Sequence, residues 1–256
     1  MRTISRLQGG YRQDKPAAVA AVARLRREAG QDAHASPTSW GLDDLAALTE
    51  LREQKDQEED GASWHSQYEG LRQRERREDR EDQAVHVAVT LWALHQQSVR
   101  DEPMHVPGWS VGRAVRRLAQ GKTGTIDRPA RSNGNDGRSD DEATHGKQSE
   151  PVEEISPTIR KRFVRIGTST DIDTLSRRLR EMVLLLRAAR IPLDYGLLAD
   201  QLNRWQNESN QADVRRAWGR DFHRIYRTAT AGDTDEDDTS ASQAHPSTLS
   251  VEEAND

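Results

Sequence analysis

Cysteine is absent from the 256 residues. That excludes disulfides, thiolate nucleophiles and zinc or iron–sulfur sites built on thiolates, and it fits a reducing compartment. Also missing is any uninterrupted apolar stretch of the ~18 residues that a membrane-spanning helix requires. The opening residues, Met1 to Arg6, carry no apolar secretory core, so a cytoplasmic protein without membrane contact is expected. Hydrophobic residues are scarce at 33%, while charged residues reach 32%. A chain this polar is expected to form a modest core flanked by segments that bury too little apolar surface to fold. Lysine is rare too: five of the 38 basic residues are Lys and 33 are Arg. The planar guanidinium suits phosphate contacts, although genomic base composition can produce the same bias.

Catalytic patterns are missing as well. Gly121-Lys122-Thr123 resembles the end of a phosphate-binding loop, but Arg116 stands where that motif needs its first glycine. No HExxH occurs. His86 and His95, nine apart on one helix, are wrongly spaced for a shared metal and read as core or solvent-facing imidazoles. Glu153 and Glu154 are paired in a flexible stretch and are not preorganised for acid–base work. No spacing orders Ser, His and Asp into a triad. The chain reads as a non-enzyme, with no cofactor and no metal expected.

What is present is helical periodicity, and no convincing strand alternation accompanies it. Helices are expected over 14–28, with Asp14 as N-cap and Pro16 in the first turn, over 42–51, over 83–98 and over 110–120 with Ser110 as cap. After Ser156-Pro157, four more follow near 157–166, 171–190, 194–206 and 211–228, with Asp171 and Asp194 at N-cap positions. The expected architecture is all-α: two small helical bundles joined by a flexible linker, with a disordered acidic tail. Residues 1–120 would form the first bundle, with a charged insertion near 52–82. Residues 121–156, rich in Gly, Ser and acidic side chains, would be the linker. Residues 157–228 would form the second bundle, and 229–256 the tail. Trp92, Trp205 and Trp218 lie on apolar faces and read as core. Trp40, Trp64 and Trp109 stay undecided.

The net charge of −5 conceals a segregation. Residues 229–256 hold eight acids and no Lys or Arg; residues 158–228 hold fifteen Lys and Arg against eight Asp and Glu. A basic module suits a polyanionic partner. Its side chains fall into stripes. Arg113, Arg116 and Arg117 lie on one helix face; Arg160, Lys161, Arg162 and Arg165 crowd another helix; Arg177, Arg178 and Arg180 ride a third; Arg216, Arg220, Arg224 and Arg227 a fourth. A single stripe is most often a solvated face. Four in one chain favour phosphate-backbone contacts without base reading. A helix-turn-helix regulator using 110–120, or a scaffold with merely solvated arginines, stays open on these residues alone.

Several runs together carry a resemblance. They are Met104-His105-Val106-Pro107-Gly108-Trp109-Ser110-Val111-Gly112-Arg113-Ala114-Val115-Arg116-Arg117-Leu118-Ala119, Leu91-Trp92-Ala93-Leu94-His95-Gln96-Gln97-Ser98, and Arg160 to Arg165 followed by Leu175-Ser176-Arg177-Arg178-Leu179. Ile191-Pro192-Leu193-Asp194-Tyr195 to Arg204-Trp205 and Trp218-Gly219-Arg220-Asp221-Phe222 complete the set. In this order they resemble the CasB family, the small subunits of the type I-E CRISPR surveillance complex, Cascade. The resemblance implies an all-α, non-catalytic subunit present in two copies along the complex. It would lie against the backbone and large subunits of the guide-RNA-containing assembly. It also implies contacts to target DNA, including the displaced strand, during R-loop formation. By family position those contacts fall to Arg26, Arg27, Arg113, Arg160, Lys161, Arg162, Arg177 and Arg178; the stripe on 110–120 adds Arg116 and Arg117. After Trp205 the chain carries Gln206-Asn207-Glu208, where family members can carry basic residues, which argues against a contact there.

Overall fold

Capping chemistry sets most of the helix boundaries in the computed structural model, which describes residues 2–31, 64–125 and 155–225, with side chains from residue 71 onward in the long helix. Eight helices occur among the described residues: α1 (Arg2–Arg12), α2 (Pro16–Glu28), α3 (Trp64–Gln96), α4 (Val111–Ala119), α5 (Pro157–Gly167), α6 (Ile172–Ala188), α7 (Tyr195–Trp205) and α8 (Glu208–His223). The helix expected over 42–51, the first part of the charged run, most of the expected linker and the acidic tail lie outside the described residues.

The start of a helix leaves N–H groups without intrahelical partners, and a short polar side chain can accept from them. Ser110 accepts from Arg113 N at 3.3 Å. Asp171 accepts from Thr174 N at 2.7 Å, and Asp194 from Gly196 N and Leu197 N at 2.9 and 3.0 Å. Asp14 departs from expectation. Lys15 occupies the N-cap of α2, while Asp14 sits at φ 56° in the preceding turn and pairs with Arg100. The fixed φ of Pro16 suits the first helical position and displaces the cap by one residue.

Two further differences concern extent. The helix expected at 83–98 continues back to Trp64. Its charged part is rich in Arg, Glu and Gln, which are good helix formers, and Arg77 pairs with Glu81 one turn on, at 3.1 Å. α1 was not foreseen. Gly9-Gly10 disguises it, yet Ile4, Gln8 and Tyr11 recur at helical spacing and are buried. Gly10 is required there because a Cβ would lie 2.8 Å from the Ala18 Cβ of α2.

The buried apolar residues form one cluster, to which both halves of the chain contribute. α3 packs on α2, α6 and α7, while α4 packs on α5, α6 and, most extensively, α8. The described residues 2–31, 64–125 and 155–225 accordingly belong to one compact unit. The apolar faces of α6 and α7 are covered by α3, and that of α8 by α4 and α7. Trp92, Trp205 and Trp218 are at most 1% exposed and lie in this core; burial of each such side chain is worth at least ~1.5–3 kcal/mol. Gly112 sets the closest approach: a Cβ would collide with the Trp218 carbonyl oxygen and the Phe222 backbone nitrogen of α8.

A short clip also joins the halves. Leu193 N donates to Met104 O at 3.0 Å, Val106 N to Leu193 O at 3.3 Å, and Asp194 N to Trp109 O at 2.7 Å. It forms an isolated bridge between His105 and Leu193, and no β-strand occurs among the described residues.

Candidate nucleic-acid interface

The loop preceding α4 is held by buried polar side chains that periodicity could not reveal. Gln8 Nε2 donates to His105 O at 3.1 Å, and its Oε1 accepts from His105 N at 2.8 Å. Gln96 Oε1 accepts from Met104 N at 2.9 Å, while its Nε2 donates to the Val99 and Glu102 carbonyls. His105 Nδ1 accepts from Tyr195 N at 3.2 Å. Below it the Tyr195 hydroxyl and His95 Nδ1 lie 2.7 Å apart. Burial, with the positive charge of Arg187, holds the His95 pKa down to about 3, so the ring is neutral. Burial also lowers His105, against the pull of Asp194, and raises Tyr195. His95 and His86 are therefore core imidazoles, 0% and 1% exposed. Among the described residues no group of His, Asp and Glu could hold a metal ion.

On this frame the ten expected contact residues divide. Arg160, Lys161 and Arg162 on α5 and Arg177 on α6 are exposed, and these two helices pack together. Their ties are loose. Arg162 faces Glu181 of α6 at 3.9 Å with both side chains about half exposed or more, which in water contributes ~0–1 kcal/mol. Arg177 donates to Thr174 of its own helix at 3.2 Å. Hydrogen bonds from Thr174 and Thr170 hold the Asp171 carboxyl below the usual range, and the Arg177 charge helps. Arg178 is half-buried: it donates to the Arg165 carbonyl and to Ser169 Oγ at 3.1 Å. A cation there complements the C-terminal end of α5 and locks α5 to α6. Arg27 is exposed and Arg26 half-buried in the last turn of α2. Arg180 of α6 donates to Ala29 O at 3.2 Å, bringing the end of α2 beside α6. The structure thus gathers α2, α5 and α6 residues onto adjoining elements.

The α4 arginines are used differently. Arg113 lies over the Trp109 ring, 4.1 Å from its centroid, and donates to Gly108 O at 3.3 Å. Arg116 donates to Phe222 O of α8 at 3.0 Å. Arg117 is only 8% exposed; its guanidinium donates to the Gly124 and Thr123 carbonyls, the latter at 3.0 Å. Arg116 and Arg117 tie the chain to itself in this structure. Arg187 does the same, donating to Leu94 O and Gln97 Oε1 at the end of α3, at 3.3 and 3.1 Å. A stripe spacing of i, i+3, i+4 cannot distinguish such braces from surface cations. The arrangement presents cations on helices α5 and α6.

Three comparisons bear on this geometry. Residues 21–223 match the family model described as CRISPR-associated protein Cse2. The crystal structure of CasB from Thermobifida fusca is similar at 35% identity and a TM-score of 0.56, covering 87% of this chain and 94% of that one. No curated protein matches.

Proposed function

The chain belongs to the CRISPR-associated Cse2 (CasB) family, the structural, generally non-catalytic small subunits of type I-E Cascade, and from that premise we propose that it holds target DNA during R-loop formation. The observation that carries this reading is the exposed set Arg160, Lys161, Arg162 and Arg177 on adjoining helices α5 and α6, braced from beneath by Arg178. Arg27 at the end of α2 extends the set, and Arg113 over Trp109 presents a further cation beside α4. These side chains meet phosphates, positioning the strands without reading bases. In an RNA-guided R-loop the heteroduplex formed and the duplex lost are near balance, so modest backbone contacts decide whether the strands stay apart; that balance is known for another effector class and is carried over by analogy. The partners in this reading are the backbone and large subunits, a second copy of the chain, the guide RNA and both target strands.

Replacing Arg160, Lys161, Arg162 and Arg177 by Ala together should weaken target binding by the assembled complex to a similar degree on unrelated sequences. The dependence on salt should flatten as well, because fewer counterions are released. Binding measured from low to moderate salt on several targets checks both. A loss confined to some sequences would argue for base contacts, and no loss would favour a helical scaffold.

A further inference from the structure

Between α5 and α8 lies a cleft of about 220 Å³. That is below the ~300–1,000 Å³ of sites for drug-sized ligands and admits one planar ring system. Its walls include Phe163 and Phe222, which stack at 5.0 Å with their planes 24° apart. Val164, 55% exposed, forms one lip. Arg160 and Arg215, both exposed, line it as well, and no carboxylate does. Gly219 keeps the α8 wall open, with no atom within 4 Å of where its Cβ would stand. An apolar slot beside two guanidinium groups is complementary to one ligand chemistry in particular: a flat, weakly polar ring joined to an anion.

We propose that this cleft takes the base of an unpaired nucleotide from the target DNA, stacking it against Phe163 while Arg160 and Arg215 hold the flanking phosphates. The assignment rests on the strand-holding role above and adds to it a seat for one base. Duplex DNA cannot enter, because its bases are already stacked and paired. Single strands can, and stacking on aromatic side chains tolerates any base. The chain would thereby favour separated strands over re-annealed ones, adding a stacking contribution to that of the backbone contacts.

The test uses the guide-loaded complex containing this chain, with R-loops whose displaced or target strand carries 5-iododeoxyuridine at successive positions. Irradiation should crosslink one position to Phe163. An abasic site at that position should shorten the R-loop lifetime at least about fivefold. Gly219→Leu fills the slot with a better helix former, and Val164→Glu places a like charge at its exposed lip. Either should abolish the crosslink and make the abasic site neutral. An R-loop that still depends on the chain, but crosslinks elsewhere or equally in both variants, overturns the seat and leaves the backbone role intact. An R-loop lifetime indifferent to the chain overturns both. If a blocked cleft keeps the chain out of the complex, its occupant is a neighbouring subunit's side chain and the proposal fails.

Discussion

Gly112 shows how one residue can decide the approach of two helices. Its missing Cβ admits the Trp218 carbonyl and the Phe222 backbone nitrogen of α8 against α4. Gly112→Ala improves helix propensity, yet overpacking costs ~1–3 kcal/mol; thermal unfolding should show a lower midpoint, whereas a higher one would mean that α4 and α8 separate freely. His95 makes the second residue-scale prediction. Its folded pKa of about 3 lies below the ordinary 6.5, so the unfolded chain binds the extra proton first. Stability from this neutral ring is complete above about pH 6.5 and is lost as pH falls toward 3, at up to ~1.4 kcal/mol per pH unit. Unfolding of wild type and His95→Gln across that window should show a shallower decline in the variant. The tryptophans on apolar stripes could be read from sequence because burial of a large side chain follows periodicity. The roles of Gln8 and Gln96 could not, because each donates to loop carbonyls and accepts from a loop N–H outside any helical period, His105 for Gln8 and the 99–104 loop for Gln96.

Among the elements, α5, α6 and α7 match their sequence reading closely because Pro157, Asp171 and Asp194 mark their starts. α1 and the charged half of α3 were hidden, the first by Gly9-Gly10 and the second by a pattern with little apolar contrast. The basic stripes were legible as stripes, but their allocation was not. Whether an arginine faces solvent or a neighbouring carbonyl depends on what packs beside the helix. Arg117 on α4 and Arg177 on α6 separate the two roles. Arg117→Ala leaves the Gly124 and Thr123 carbonyls short of their donor and should lower stability by ~1–3 kcal/mol. Arg177→Ala should leave the unfolding midpoint within ~0.5 kcal/mol of wild type and act on DNA binding. Denaturant unfolding beside a binding titration distinguishes them; equal stability losses would contradict the division.

At the scale of the molecule, one core takes helices from both halves, and the clip at His105 and Leu193 ties their loops. Residues 121–156 mark a change of composition, and composition does not report what packs across a connection. Charge segregation was legible, since it needs only counting: a basic stretch over 158–228 and an acidic one over 229–256. The central claim is that this Cascade small subunit keeps target strands apart. The most direct measurement is the lifetime of an R-loop on matched DNA, with the guide-loaded complex assembled with and without this chain. The expected result is a shorter lifetime without it, and an intermediate one when Arg160, Lys161, Arg162 and Arg177 are all Ala. An unchanged lifetime, with the chain shown to be incorporated, would contradict the account.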